Sequence, residues 1–133
     1  MKVCVIGLGY VGLPLACLAS KYFDVIGVDI DQNKVNQINQ NISPIVDDDY
    51  TLELFDKTQL YATTNSEEMK LADIIIICVP TPIDEKYHPN LYPLKSAVSS
   101  VSKNLQKGQL IIIESTIYPG TTEDVIEPLL EES

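Results

Sequence analysis

The chain has 133 residues, a formal net charge of −10 and 45% hydrophobic residues, which suits one domain with a real core and is small for an enzyme holding both cofactor and substrate domains. Nineteen acids against nine bases repel phosphate backbones and anionic headgroups, which argues against nucleic-acid or membrane-surface partners and means that any anionic ligand is captured locally. Cys4, Cys17 and Cys78 are too scattered for a disulfide framework or a metal motif and read as reduced, buried apolar residues, while the absence of a leader cleavage site or a long apolar run makes the cytoplasm the expected compartment.

Residues 3–6 form a short β-branched run, and residues 10–22 carry apolar side chains at helical spacing, so the chain opens strand, glycine turn, helix. Residues 24–29 repeat the strand signal. Asp31 is placed to cap a second helix, in which Val35 and Ile38 stand three apart among polar residues. The polar stretch 39–50 reads as a loop, with the run Asp47-Asp48-Asp49 a solvated acidic face rather than a metal site, and 51–55 as a short helical turn. Residues 60–62 read as an edge strand, 66–70 as a short helix, and 73–79 as the most apolar strand, suited to a parallel sheet buried on both faces.

Pro80, Pro82, Pro89 and Pro93 predict an irregular loop, followed by a helix over 94–105 that Lys107-Gly108 closes and a strand over 110–113. His88 in that loop reads as a solvent-exposed residue, not a catalytic one. After the turn Tyr118-Pro119-Gly120, a last helix over 121–131 directs Val125, Ile126, Leu129 and Leu130 to the sheet, with Pro128 weakening or kinking its end. Alternating strands and helices give an α/β class, a doubly wound parallel sheet of about five strands with its ligand crevice at the strands' carboxyl ends.

Gly7-Leu8-Gly9-Tyr10-Val11-Gly12 has the G-x-G-x-x-G spacing between the first strand and the first helix, the context that gives the motif meaning. Gly7 permits the tight turn, Gly9 lets a pyrophosphate approach the backbone, and Gly12 lets helix and strand pack closely, while the helix N-terminus offers N–H donors. Asp29 ends the second strand at about the 20-residue distance expected of an acid that accepts both ribose hydroxyls of NAD and repels the 2′-phosphate of NADP. Lys34 reaches the adenosine side of the crevice or is an ordinary exposed helix residue. Val79-Pro80-Thr81-Pro82 and Glu114-Ser115-Thr116 follow the fourth and fifth strands. Position alone leaves Thr81 and Thr116 evenly open between cofactor contact and turn hydrogen bonding.

The opening from Met1 to Ala16, with Gly9-Tyr10-Val11-Gly12-Leu13-Pro14 at its centre, together with Cys78-Val79-Pro80-Thr81-Pro82 and Glu114-Ser115-Thr116-Ile117-Tyr118-Pro119-Gly120-Thr121-Thr122, resembles the UDP-glucose/GDP-mannose dehydrogenase family. Pro82-Ile83-Asp84 and Tyr118-Pro119-Gly120 look most like its branch that oxidises UDP-N-acetylhexosamines for surface polysaccharides. The resemblance implies a Rossmann domain over 1–133 that binds NAD. Tyr10 and Val11 would meet the pyrophosphate through the backbone, Asp29 and Lys34 would serve the adenosine ribose, Thr81 would lie along the cofactor, and Thr116 would stand beside the nicotinamide and position water.

Family enzymes are homo-oligomers that oxidise a sugar C6 alcohol to the acid with two NAD, through a cysteine thiolate that holds the aldehyde. None of Cys4, Cys17 and Cys78 matches that nucleophile. The expectation is therefore a domain truncated before its sixth strand, without the substrate and catalytic domains, inactive alone and carrying an open fifth-strand edge. Two other readings remain at this stage, a stand-alone NAD-binding regulatory module and a small hydroxyacid or 6-phosphogluconate-type dehydrogenase.

Overall fold

The computed structural model describes residues 1–83, 85 and 87–131. Asp84 of the Pro82-Ile83-Asp84 comparison, with the terminal Glu132 and Ser133, lies outside the described residues. The five strands are β1 (Lys2–Ile6), β2 (Asp24–Val28), β3 (Tyr61–Thr63), β4 (Ile74–Ile77) and β5 (Leu110–Ile113), all but β3 rich in β-branched residues. They form one parallel sheet in the order β3-β2-β1-β4-β5. The order reverses between β1 and β4, where a doubly wound sheet opens its crevice.

Alternation along the strands sends side chains to two cores. On one face Val3, Val5 and Val25 meet Leu13, Ala16 and Cys17 of α1 (Gly12–Ala19), Val35 and Ile38 of α2 (Gln32–Asn39), and Leu54 and Phe55 of α3 (Asp49–Asp56). On the other, Cys4, Ile6, Ile75 and Ile77 meet Met69 of the 3-10 turn Ser66–Leu71, and Leu94, Val98 and Val101 of α4 (Tyr92–Ser102). Ile126, Leu129 and Leu130 from the last helical segment join this second core.

Several boundaries differ from the sequence reading. Residues 9–11 are spent on the turn, so α1 begins only at Gly12, and after Ala19 its last carbonyls close in tight bonds to Lys21, Tyr22 and Phe23. Pro93 belongs to α4 rather than to the loop, because the first turn of a helix needs no N–H from it. The last helix departs from α geometry one turn before Pro128: residues Thr122–Ile126 form a π turn, with the Glu127 N–H bonded to the Thr122 carbonyl, and α5 (Glu127–Glu131) follows. Proline has no N–H and its ring crowds the carbonyl four residues back, so the widened turn sits where that conflict falls.

The two lateral strands are finished differently. On β3, the Asn39 side chain accepts from the Ala62 N–H at 2.9 Å and donates to the Ala62 carbonyl at 2.8 Å, acting as a one-residue neighbouring strand. Beyond β5 no described strand pairs, and Leu110 is exposed.

The acidic run is more than a solvated face. Asp48 caps α3 by accepting from the Thr51 N–H at 3.3 Å and from the Thr51 hydroxyl, and Asp47 accepts from the Tyr10 hydroxyl. Among the described residues no group of three or more His, Cys, Asp or Glu side chains is placed to hold a metal, and no helix is long and apolar enough to cross a membrane.

Candidate cofactor site

The three motif glycines are required for three different reasons. Gly7 adopts φ +87°, donates its N–H to the Val28 carbonyl at 2.8 Å, and would place a Cβ 2.8 Å from the Cys78 carbonyl oxygen. At Gly12 a Cβ would lie 1.7 Å from the Gly7 carbonyl oxygen. At Gly9 a Cβ would meet nothing within 4 Å. The protein's own packing therefore does not call for glycine there, and the open space is what a ligand approaching the backbone needs.

That space adjoins the N-terminus of α1, which no side chain caps and whose first turn holds no acid. Tyr10 and Val11 are both exposed, so the turn offers backbone rather than buried side chains to the crevice. Uncapped N–H groups and the partial positive charge of a helix start suit a pyrophosphate, even in an acidic protein.

Asp29 follows β2 and is only 7% exposed. Its Oδ2 accepts from the Leu8 N–H at 2.7 Å and from Lys34 Nζ at 2.9 Å, and its Oδ1 accepts from the Asp31 N–H at 2.9 Å. Burial pushes the carboxyl pKa up, but the donors from Asp31, Leu8 and Lys34 together outweigh it and hold the group below the ordinary carboxylate value. The carboxylate thus enters the site charged and already pinned to the glycine turn through Leu8. Because Oδ2 has two donors, the remaining capacity lies mainly on Oδ1, which has room for one further hydroxyl. Lys34 is half-buried and forms an ion pair with this acid. Asp31 caps α2 as expected, accepting from the N–H groups of Asn33 and Lys34.

Ile30 was not singled out in the sequence and is 99% exposed beside Asp29. Its apolar side chain stands open at the carboxyl end of β2.

On the other side of the switch point the two threonine segments are tied together. The Thr81 hydroxyl donates to the Thr116 carbonyl at 2.7 Å, and the Ser115 hydroxyl donates to the Val79 carbonyl at 2.7 Å. The Thr81 hydroxyl thus ties the two segments together and fixes the position of Thr116, itself exposed, after β5. Ser115 was passed over as a contributor because only the paired register of β4 and β5 brings it to Val79. His88 is exposed in its loop.

All three thiols are unsuited to nucleophilic work. Burial pushes Cys4 up to about 12, with the charge of Glu68 adding to it, and Cys17 and Cys78 to about 11. The thiolate is the reactive form. Native protein at pH 8 is expected to take up less than about a tenth of one equivalent of N-ethylmaleimide within minutes, and three equivalents once unfolded. Rapid modification of the native chain, read by intact mass, would contradict this picture of the thiols.

Comparison with known proteins agrees with this geometry. The family model for the NAD binding domain of the UDP-glucose/GDP-mannose dehydrogenase family matches residues 1–133. The chain is 44% identical over 131 residues to a UDP-N-acetyl-D-glucosamine 6-dehydrogenase of Pseudomonas aeruginosa, covering 98% of this chain and 31% of that protein. It is 46% identical over 136 residues to a UDP-N-acetyl-D-mannosamine dehydrogenase of Campylobacter jejuni, covering 98% and 33%. Among solved structures, a ternary complex of GDP-mannose dehydrogenase from Pseudomonas aeruginosa superimposes with a TM-score of 0.88 at 32% identity, over 99% of this chain and 32% of that one. The chain spans about a third of the length of these relatives. Matched along its whole length, the chain belongs to the UDP-glucose/GDP-mannose dehydrogenase family and is its NAD binding domain.

Proposed function

We propose that this domain holds NAD across the carboxyl ends of its strands for a nucleotide-sugar 6-dehydrogenase, whose substrate is a UDP-sugar of the N-acetylhexosamine type. The observation that carries the cofactor placement is the open space at Gly9 beside an uncapped helix start, next to Leu8, whose N–H the buried Asp29 accepts. The backbone N–H groups of Gly9, Tyr10 and Val11 meet the pyrophosphate, Gly7 and Gly12 shape the turn, and Asp29 with Lys34 takes the adenosine ribose. Ile30 lies under the adenine. Thr81 fixes the wall along the cofactor and Thr116 stands at the nicotinamide end, where it positions water.

NAD held by the glycine turn and Asp29 would supply the hydride acceptor, and two such transfers with one water would take the C6 alcohol to the acid with release of two NADH and two protons. The residues of this chain orient the cofactor for those steps, and the covalent chemistry belongs to a nucleophile that none of its buried thiols supplies. The names of the relatives support the UDP-N-acetylhexosamine assignment. The same reading gives the whole enzyme as a cytoplasmic homo-oligomer without nucleic-acid or membrane partners, in keeping with its acidity.

Calorimetric titration tests the cofactor reading. NAD is expected to bind the 133-residue chain, and NADP to bind at least about tenfold more weakly, because its 2′-phosphate would meet the Asp29 carboxylate. Equal affinity for the two cofactors would count against the role given to Asp29, and no binding of either by a chain shown to be folded would sink the reading altogether.

A further inference from the structure

The glycine turn is held from outside by a contact that the cofactor reading does not use. Tyr10 stands between the second and third glycines of the turn and is 64% exposed, so burial does not fix it. Its hydroxyl donates to Asp47, with Oδ1 at 2.7 Å and Oδ2 at 2.8 Å, across 37 residues of sequence. Asp47 is a fixed acceptor because its neighbours are anchored. Ile45 is buried in the core shared with α1 and α3, the Ser43 hydroxyl donates to the Ile45 carbonyl at 2.7 Å, and Asp48 caps α3. The residues between Leu8, which Asp29 holds, and Gly12, which packs on Gly7, have no other side-chain bond to the body of the domain among those described.

We infer that Asp47 is a positioning residue for the cofactor's pyrophosphate: by accepting the Tyr10 hydroxyl it holds the backbone N–H groups of residues 9–11 in their binding arrangement before the ligand arrives. This rests on the proposed binding of NAD at the glycine turn. Preorganisation of this kind raises affinity by reducing what must be ordered on binding. The hydrogen bond to Asp47 and the nearby acidic charges raise the Tyr10 pKa, so the phenol stays the donor at all ordinary pH. The carboxylate also has a competing effect, since a negative charge near the turn repels pyrophosphate. The two effects predict opposite outcomes for removal of Asp47.

The test uses the 133-residue chain and three ligands: NAD, ADP-ribose, which keeps the pyrophosphate, and adenosine, which lacks it. Tyr10→Phe and Asp47→Ala are each expected to weaken NAD and ADP-ribose by about threefold to tenfold, the scale of one exposed hydrogen bond to a carboxylate. The double variant should be no weaker than either single one, Asp47→Glu should recover part of the loss, and adenosine affinity should not change. Unchanged or tighter NAD binding in Asp47→Ala would overturn the inference, as would additive losses or a parallel loss of adenosine. If wild type binds NAD and Asp29→Ala abolishes it while these variants do nothing, only the role of Asp47 fails. If wild type does not bind NAD, the cofactor reading fails and this inference fails with it.

Discussion

Gly12→Ala is expected to destabilise the domain by about 3 kcal/mol or more and to remove NAD binding, although alanine is the better helix former by up to about 1 kcal/mol. The new Cβ would stand 1.7 Å from the Gly7 carbonyl oxygen and 3.1 Å from the Cys78 Cβ, whereas real Cβ contacts under 3.0 Å essentially do not occur. Gly7 cannot retreat, because its N–H is held by the Val28 carbonyl and its own Cα faces the Cys78 carbonyl. Helix α1 must therefore shift, and the shift carries the fully buried Leu13, Ala16 and Cys17 out of register with β1 and β2. Thermal unfolding followed by circular dichroism should show a fall of about 10 °C or more. A variant as stable as wild type would mean that the turn has room that these distances deny.

Asp29→Asn should have the second largest effect, because it strikes stability and binding together. The carboxylate takes three donors, and an amide in its place turns its own N–H groups toward one side or the other. If its oxygen faces Leu8 and Lys34, its nitrogen faces the Asp31 N–H, and the reverse orientation is worse. A loss of about 2–4 kcal/mol at neutral pH follows from breaking a buried, charge-assisted set of this kind, with Lys34 partly screened by solvent. NAD affinity should fall at least about tenfold, since the ribose acceptor and the tether on Leu8 go together.

The pH dependence fixes the sign independently. The folded carboxyl lies below its ordinary value, so its contribution is fully present above about pH 4, the unfolded value, and is lost as pH falls through the folded one. Denaturant melts of wild type and Asp29→Asn should therefore converge as the pH is lowered from 6 toward 3. A gap that stays constant over that range would show that the charge of Asp29 contributes nothing.

What could be read from the sequence depended on how local its cause was. The five strands, the glycine turn and the Asp31 cap follow from spacings within one turn or one strand, and each reappears in the structure. What could not be read depends on pairings across the sheet. No periodicity announces that Asn39 will bond Ala62, that Gln109 will donate to the Met69 and Ala72 carbonyls, or that Ser115 will meet Val79. The acidic run illustrates the limit: composition gave three similar aspartates, and only the packing of α3 against α1 separates Asp48 as a helix cap from Asp47 as the acceptor of Tyr10. Pro93 was misassigned because four prolines were read as one loop signal, although a first-turn proline starts a helix as readily as it breaks one.

The side chain of Asn39 also sets how the sheet can grow. A sheet with two open sides can add strands at both and so propagate, chain after chain, into a fibre. Here Asn39 occupies both polar groups of Ala62 at the middle of the three-residue strand β3, so that among the described residues β5 is the side left to accept a further strand. A second molecule related by a twofold axis, pairing its own β5 with Ile111 and Ile113, ends the series in one step, whereas a further strand of the same polypeptide only moves the open side outward by one.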